Sequence, residues 1–191
     1  MATKDEILTR LLKEENYVSG EELARQTGVS RAAVWKAIKS LKKSGYDIEG
    51  VTKCGYKLKQ NNSLVTAEGV KALLEKDIEV THFDTVDSTN TYCKRLLADG
   101  KQGEFLVTAA KQTAGRGRQG KSFYSPSETG IYFSLVIRPD TSLQNAVTAT
   151  TAAAVAVCKA IEKTTDLKPK IKWVNDVYLN GKKVCGILTE A

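Results

Sequence analysis

Gln112-Thr113-Ala114-Gly115-Arg116-Gly117-Arg118-Gln119-Gly120 is the most informative stretch of this chain. It follows an apolar, strand-like run at residues 105–110 and places three glycines and two arginines within six residues. Glycine permits positive φ angles and lets a ligand approach the backbone N–H groups, which can form an anion-binding concavity. Guanidinium groups add bidentate donors for phosphate or carboxylate. The stretch therefore predicts a mobile loop that follows a β-strand and folds over an anionic ligand.

Two other interpretations of this loop remain open at this point: a flexible, solvated surface loop, and a Gly-Arg segment that binds RNA without specificity. Two phosphate-binding motifs are excluded. The loop lacks the Gly-Lys-Ser/Thr ending of a P-loop. Its glycines fit the spacing G-x-G-x-x-G, but residues 121–126 (KSFYSP) cannot open the long helix that a dinucleotide-binding site requires.

Length and charge limit the possible organisation and partners. A chain of 191 residues can form one domain with a sizeable core, or one medium and one small domain. It carries 29 basic and 22 acidic residues, for a formal net charge of +7. Eight basic and only two acidic residues fall between Ser30 and Gln60. The balance fits a nucleic acid or an anionic substrate.

Cysteine and histidine usage argues against several kinds of site. Cys54, Cys93, Cys158 and Cys185 are widely spaced, which predicts neither a zinc site nor a disulfide framework. His82 is the only histidine and is predicted to be structural, so a histidine-based triad is not expected. The N-terminus is charged, and no run reaches the ~18 apolar residues of a membrane span. A cytoplasmic protein without a membrane partner is therefore expected.

The first 60 residues have the pattern of a winged helix-turn-helix. Helices are predicted at 5–12 and at 21–26, the second with a capping box formed by Ser19 and Glu22. Ser30 is predicted to cap a third, basic helix, and two strand-like runs at 46–49 and 55–58 follow as a wing. The alternative is a small helical domain with a solvated, lysine-rich face.

The basic helix and the wing would carry the DNA contacts, because surplus positive charge is concentrated there. Trp35 is predicted to pack in the core rather than to contact bases. The predicted DNA-binding residues are Ser30, Arg31, Ala32, Lys36, Lys39 and Lys53.

The rest of the chain predicts a second domain at residues 66–191, after a polar linker at 61–65. Helices are predicted at 66–74 with Thr66 as the cap, after Asp87-Ser88-Thr89-Asn90, and as a buried, alanine-rich segment at 146–161. Strands are predicted at 78–83, 105–111, 131–137, 170–179 and 182–190, the last two joined by a type I′ turn at Asn180-Gly181. The cluster at 87–90 is either a simple helix cap or a set of free N–H donors that face a ligand.

Four motifs taken together carry a family resemblance that extends over essentially the whole chain. They are residues 87–90 (DSTN), Gln112 with the Gly/Arg loop 115–120, residues 172–176 (KWVND) and residues 183–188 (KVCGIL). In order and spacing they resemble the bifunctional biotin–protein ligases that also repress the biotin operon. The resemblance implies an α+β fold, in which a winged helix-turn-helix domain precedes a mixed-sheet catalytic domain of the biotin/lipoate ligase type.

The resemblance also implies a two-step reaction. Biotin is activated with ATP and Mg²⁺ to biotinoyl-5′-AMP, and the biotinoyl group is then transferred to a lysine of a biotin carboxyl carrier protein. The residue types fit this chemistry, because two anions must approach and unit charges at about 4 Å repel by ~4 kcal/mol at an effective dielectric near 20. Arg116, Arg118 and Lys183 can offset that repulsion as catalytic residues. No covalent enzyme intermediate is required.

By resemblance, site residues can be assigned to two groups. The expected biotin-binding residues are Ser88, Thr89, Asn90, Gln112, Gly115, Arg116, Arg118, Lys183 and Gly186. The expected nucleotide-binding residues are Lys172, Trp173, Asn175, Asp176 and Phe123, with Asp176 as a magnesium ligand. For Trp173 the alternative is core packing, and for Asp176 a turn residue. The corepressor is expected to be biotinoyl-AMP, with a ligand-dependent homodimer on operator DNA.

This sequence departs from the family pattern in three ways. The family usually has proline at Val174 and often tryptophan at Phe123, and it continues with further strands and a small β-barrel that are expected to complete the nucleotide site. Two alternatives to the ligase remain: a DNA-binding repressor that only senses biotin or its adenylate, and a lipoate-type ligase. Lys183 and both loop arginines favour the enzyme over the sensor, and the winged helix argues against the lipoate enzyme.

Overall fold

A computed structural model describes residues 3–59, 65–138 and 146–190. The polar break at 60–63 and most of the expected linker therefore lie outside the described residues. The described elements combine helices with mixed and antiparallel sheets, so the predicted α+β class is confirmed. None of the helices in these ranges is long and apolar enough to cross a membrane.

The N-terminal unit consists of three helices and a β-hairpin, in the order expected for a winged helix-turn-helix. Its elements are α1 Thr3–Lys13, α2 Gly20–Thr27, α3 Arg31–Lys43, β1 Ile48–Val51 and β2 Gly55–Leu58, with β1 and β2 antiparallel. They enclose one apolar core, formed by buried residues that include Ile7, Leu8, Leu11, Leu23, Val34, Ile38, Leu41 and Ile48.

Local signals fix where α2 and α3 begin. The Ser19 hydroxyl accepts from the Glu22 N–H at 3.0 Å, and the Ser30 hydroxyl accepts from the Ala33 N–H at 3.2 Å. Both predicted caps are thus confirmed. The Glu22 carboxylate does not complete the capping box, because it accepts hydrogen bonds from Arg25 and Gln26.

The predicted burial of Trp35 is wrong. Its side chain is 54% exposed, whereas Val34 and Ile38 are buried. Successive residues of an α-helix are rotated by about 100°, so a residue next to an inward Val34 faces outward.

A three-stranded sheet forms the centre of the second unit. Its elements are α4 Ala67–Leu73, β3 Glu79–Phe83, α5 Thr89–Ala98, β4 Phe105–Ala109 and β5 Tyr132–Val136, in the strand order β3-β4-β5. β3 and β4 are parallel and joined through α5, while β4 and β5 are antiparallel and joined through the Gly/Arg loop. The core under α5 contains Cys93, Phe105 and Val107. His82 is structural as expected, since its Nδ1 lies 2.8 Å from the Thr108 hydroxyl oxygen.

The last elements are a long helix, α6 Ala146–Thr164, and a separate antiparallel sheet. The strands of this sheet are β6 Lys170–Lys172, β7 Asp176–Leu179 and β8 Lys182–Gly186. The expected turn at Asn180-Gly181 is confirmed by positive φ angles of 49° and 77°.

Three predictions in this region are wrong. The expected strand at 170–179 is a hairpin, because residues 173–175 turn and bring Lys172 opposite Asp176; asparagine at position 175 favours such a turn. The expected strand at 182–190 ends at Gly186, where the Ile187 N–H donates to the Asn175 carbonyl instead. The expected buried helix α6 is largely exposed, because it packs mainly against β6 and β7; an alanine-rich composition favours a helix without requiring its burial.

The two units meet at α4, whose cap Thr66 is confirmed by a 3.0 Å hydrogen bond from the Gly69 N–H. The hydroxyl groups of Thr66 and Tyr46 are hydrogen-bonded, and Lys4 of α1 forms an ion pair with Glu68 at 3.1 Å. This junction places α4 between α1 and β3.

The β1–β2 hairpin of the N-terminal unit depends on Gly55. Its φ is +113°, and a Cβ atom there would lie 2.1 Å from the Val18 carbonyl oxygen. We expect Gly55→Ala to lower the free energy of unfolding by at least about 3 kcal/mol, since backbone strain and overpacking add. Gly28→Ala is the matched control: Gly28 also has a positive φ, of +67°, but has open space around it, and should cost only about 1 kcal/mol. Urea unfolding followed by circular dichroism measures both, and equal losses would contradict the close contact at Gly55.

Candidate functional site

The Gly/Arg loop, residues 112–125, is folded back on itself by backbone hydrogen bonds. The Gln112 N–H donates to Ser125 O at 3.0 Å, Phe123 N–H to Gly115 O at 2.8 Å, and Gly117 N–H to Lys121 O at 2.7 Å. The loop is therefore a closed, irregular hairpin between β4 and β5. The predicted mobility of the loop, and its closure over an anionic ligand, stay predictions.

The loop glycines serve close packing more than positive φ angles. Of the three, only Gly120 has a positive φ, at 72°. A Cβ atom on Gly115 would lie 2.3 Å from the Phe123 carbonyl oxygen and 2.6 Å from the Ser125 hydroxyl. Gly115 therefore permits the two arms of the loop to approach each other.

The Gln112 carboxamide connects this loop to the start of α5. Its Oε1 accepts from the Thr89 N–H at 2.9 Å and from the Thr89 hydroxyl at 3.1 Å, while its Nε2 donates to the Ser125 hydroxyl at 2.9 Å. The Ser134 hydroxyl of β5 donates to the Thr89 hydroxyl at 2.8 Å. Thr89, Ser125 and Ser134 are all buried, so this polar network fixes where α5, the loop and β5 meet.

Three N–H groups at the start of α5 already have acceptors in the protein. The Ser88 N–H donates to Asp87 Oδ1 at 2.8 Å, the Thr89 N–H to Gln112, and the Thr91 N–H to the Ser88 hydroxyl at 3.4 Å. The last of these bonds shows that Ser88 caps the helix, as the first interpretation of residues 87–90 expects.

Asp87 also holds Arg95, about two helical turns later, in a bidentate ion pair at 2.6 and 3.0 Å. The hydrogen bonds from the Arg95 guanidinium, together with the Ser88 N–H, lower the pKa of Asp87 to about 2. Asp87 therefore stays ionised and keeps the first turn of α5 in place.

Glu190 is a residue of this site that sequence reasoning missed. Its Oε2 accepts from Asn90 Nδ2 at 3.0 Å, and its Oε1 lies 2.6 Å from Lys94 Nζ and 3.9 Å from Arg116 Nη2. The Oδ1 atom of Asn90 accepts from Ser134. Glu190 thus connects the residues that follow β8 to α5 and to the Gly/Arg loop.

Lys183 of β8 and Asp176 of β7 form an ion pair in the β6–β7–β8 sheet, with Nζ and Oδ1 2.7 Å apart. The lysine crosses Gly186, where a Cβ atom would lie 3.0 Å from Nζ, and Nζ is 6.0 Å from the centroid of the Phe123 ring. Gly186 therefore leaves the space that Lys183 needs, and the pair lies next to the loop.

Arg118 reaches from the loop to the turn between β6 and β7. Its Nη1 donates to Asn175 Oδ1 at 2.9 Å, and Asn175 Nδ2 donates to Asp176 Oδ1 at 2.9 Å. An open cavity of about 350 Å³ lies beside this contact, lined by Arg118, Gln119, Thr150, Val174, Ile187, Leu188 and Thr189.

None of the five expected nucleotide residues is among the residues that line this cavity. Trp173 is 73% exposed, so its alternative interpretation as a core residue is wrong. Lys172 is exposed, with its Nζ 5.5 Å from the centroid of the Tyr178 ring. Both lie on or beside the β6–β7 turn.

Ser125 and Ser134 are further residues that the sequence analysis missed. The sequence could have indicated Ser134, because its hydroxyl and that of Tyr132 are the polar side-chain groups of the strand 132–136. Glu190 had no such signal, because its partner Asn90 is 100 positions away. In the part of the chain that the structure describes, no group of three or more His, Cys, Asp or Glu residues could hold a metal ion, and all four cysteines are free.

The expected DNA-binding residues are exposed in the N-terminal unit. Lys53 lies in the turn of the hairpin with a φ of 69°. The remainder lie at the cap or along one side of α3: Ser30, Arg31, Ala32, Lys36 and Lys39.

Comparison with known proteins gives two family matches. The profile of the Biotin/lipoate A/B protein ligase family matches residues 82–191, and that of an HTH domain matches residues 3–57. Two relatives carry the name bifunctional ligase/repressor BirA. The one from Bacillus subtilis is 38% identical over 91% of this chain and 54% of its own length, and the one from Escherichia coli is 32% identical over 96% of this chain and 56% of its own.

Solved structures agree with these matches. A biotin protein ligase from Aquifex aeolicus, in complex with biotin and ATP, is 33% identical with a TM-score of 0.52, over 59% of this chain and 46% of that one. A biotin acetyl coenzyme A carboxylase synthetase from Helicobacter pylori, with bound biotinylated ATP, is 25% identical with a TM-score of 0.51, over 60% of this chain and 56% of that one. The chain spans a little over half the length of the curated relatives it matches.

The Asp87–Arg95 pair predicts how stability depends on pH. Because folding lowers the pKa of Asp87 from 3.8 to about 2, its ionised form stabilises the fold above about pH 4, and this contribution is lost as the pH falls towards 2. After screening of this half-exposed pair it amounts to about 1 kcal/mol. Asp87→Asn should lower the unfolding free energy at pH 6 and flatten its decrease between pH 4 and 2. The control is Asp77→Asn, whose carboxylate forms an exposed pair with Lys71 at 3.4 Å. Urea unfolding across this pH range measures both, and an unchanged slope in Asp87→Asn would contradict the role of the pair.

Proposed function

Because this chain belongs to the Biotin/lipoate A/B protein ligase family, we propose that it carries the ligand-binding centre of a biotin–protein ligase that also represses transcription. The proposed reaction joins biotin and ATP to biotinoyl-5′-AMP and then transfers the biotinoyl group to a lysine of a biotin carboxyl carrier protein. The proposed division is a DNA-binding domain at 1–60, a linker at 61–65 and a catalytic domain at 66–191, in a cytoplasmic protein.

One observation carries this proposal: three cationic side chains each contact a protein oxygen beside the loop. Arg118 contacts Asn175, Lys183 contacts Asp176, and Arg116 lies 3.9 Å from Glu190. Lys183 and Arg116 are partly exposed, at 39% and 48% of their side-chain surface. A carboxylate or phosphate can therefore replace the protein oxygen without a change in the fold.

The chemistry needs this arrangement of charge. An oxygen of the biotin carboxylate forms a bond to the α-phosphorus of ATP, and the bond to pyrophosphate breaks. Two anions approach in that step, and the Lys183 ammonium together with the arginines stabilises the charge that develops. In the second step the ε-amino group of the acceptor lysine attacks the acyl carbon, loses its proton, and AMP leaves. Neither step requires a covalent bond to the protein.

The network around Gln112 supports assignment of the biotin side of the site. Short hydroxyl and amide side chains there can hydrogen-bond the ureido ring. The proposed biotin-binding residues are Ser88, Thr89, Asn90, Gln112, Gly115, Arg116, Arg118, Lys183 and Gly186, and Ser134 extends the set because it contacts Thr89 and Asn90.

The nucleotide side is proposed at the turn between β6 and β7, with Lys172, Trp173, Asn175, Asp176 and Phe123. Magnesium fits this site only together with the nucleotide. Asp176 is the one protein carboxylate in the Arg118–Asn175–Lys183 cluster, and the described residues supply no further cluster of metal ligands. Asp176 would hold the ion, and the ion would neutralise part of the phosphate charge.

The repressor function is proposed from the N-terminal unit. Its helix α3 and hairpin present exposed cations, as DNA-binding winged helices do. Biotinoyl-AMP would act as corepressor and favour a homodimer, which places two copies of α3 on operator DNA. A repressor that only senses biotin or its adenylate is the alternative that the adenylation assay tests.

The deciding assay mixes the purified chain with biotin, ATP and magnesium and detects biotinoyl-AMP by mass spectrometry, with lipoate as the competing substrate. Product from biotin alone supports the ligase. Product from lipoate contradicts it in favour of a lipoate-type enzyme. If the folded chain forms neither product, the same assay on a chain extended by the C-terminal region of the relatives separates a ligase from a sensor.

The role of Lys183 gives a sharper prediction. We expect Lys183→Ala to lower the rate of adenylate formation at least about 100-fold, because it removes a charge that stabilises the transition state. The matched control is Lys182→Ala, which removes the neighbouring exposed lysine of β8 and should change the rate less than about twofold. Circular dichroism establishes that both variants fold. Wild-type turnover in Lys183→Ala would contradict the assigned role.

A further inference from the structure

Trp35 is a large aromatic residue that is exposed to solvent on the charged surface of α3. Its side chain is 54% exposed on α3, and the Lys39 ammonium lies 5.1 Å from the centroid of its ring. Tryptophan is highly buried on average, so an exposed indole on a charged surface indicates an interaction site.

The position of Trp35 shows which surface it belongs to. Its exposed neighbours on α3 follow the spacing i, i+1, i+4, i+5, i+8, which places them on one side of a helix: Arg31, Ala32, Trp35, Lys36 and Lys39. The opposite side carries the buried residues Val34, Ala37, Ile38 and Leu41. Trp35 therefore lies in the middle of the basic surface that the proposed function assigns to DNA, in the N-terminal half of the helix.

We propose that Trp35 reads a base, and that its indole packs on the C5-methyl group of a thymine in the major groove. This inference rests on the proposed DNA-binding function. The thymine methyl is the apolar group that the major groove presents, and apolar side chains pack on it. Cationic side chains bind the phosphates instead.

The neighbours of Trp35 favour this contact over one with the sugar-phosphate backbone. Ala32 is small and exposed, one turn towards the N-terminus of α3, so the surface next to the ring lets a base pair approach. Cations flank the ring at Arg31, Lys36 and Lys39 and are better suited to the phosphates on either side. A ring in the centre of such a surface faces the floor of the groove, whereas a ring at its rim would face deoxyribose.

The experiment begins with selection of duplexes from a random-sequence 40-base-pair pool by the full chain, with biotinoyl-5′-AMP added so that the selection does not depend on adenylate formation by the chain. Each thymine of the selected sequence is then replaced in turn by deoxyuridine, which lacks the C5-methyl group, and binding is measured by fluorescence anisotropy. We expect one thymine in each half-site at which wild-type affinity falls about fourfold, the value for ~0.8 kcal/mol per buried methyl group.

Two variants complete a cycle of protein and DNA changes. Trp35→Ala should bind the thymine and deoxyuridine duplexes equally well, because it has no ring to contact the methyl group. Lys36→Ala is the matched control; it should weaken both duplexes by the same factor, flatten the salt dependence and keep the fourfold difference. Thermal melting confirms that both variants fold, as expected for exposed side chains.

The outcomes separate this inference from the proposed function. Loss of the thymine preference in Trp35→Ala alone supports the inference. A Trp35→Ala variant that keeps the preference, or that weakens all duplexes uniformly, overturns it and leaves repression intact. If the wild-type chain selects no sequence from the pool, the proposed repressor function fails, and the role of Trp35 fails with it.

Discussion

The Gln112 side chain is the contact on which the arrangement of the site depends. One carboxamide accepts from the Thr89 backbone and hydroxyl and donates to the Ser125 hydroxyl. Because Thr89 is buried, loss of this group would leave its N–H without that acceptor, at about 1–3 kcal/mol. Gln112 therefore fixes the base of the Gly/Arg loop against α5.

The loop combines a rigid base with replaceable contacts near its tip. Its backbone is closed by hydrogen bonds at Gly115 and Gly117. Arg116, by contrast, is held by a single 3.9 Å ion pair that shares Glu190 Oε1 with Lys94. A partly exposed pair of this kind contributes about 0–1 kcal/mol, so an anionic ligand can displace it at little cost. The loop can thus be folded before a ligand arrives and still exchange its partners when one binds.

Sequence predicted what local chemistry determines and missed what distant residues determine. The caps at Ser19, Ser30 and Thr66 and the turn at Asn180-Gly181 depend on residues within four positions, and all were predicted correctly. The hydropathy pattern at 170–179 predicts one strand, because hydropathy does not report the antiparallel pairing of Lys172 with Asp176 that makes this segment a hairpin. The family motifs indicated Lys183 and Arg118, yet their contacts with Asp176 and Asn175 required the fold.

The junction between the two units limits how firmly their orientation is held. α4 buries Ala72, while Leu73 at its end is 66% exposed, so few apolar atoms stabilise the contact with α1. The polar contacts there are the Tyr46–Thr66 hydrogen bond and the Lys4–Glu68 ion pair, and the ion pair is partly exposed. Together they amount to about 1–3 kcal/mol. A ligand or DNA shifts the junction only by the difference in its affinity for two orientations, so a preference of roughly 5- to 150-fold for another orientation is enough to displace these contacts. Each unit can keep its own core while this happens.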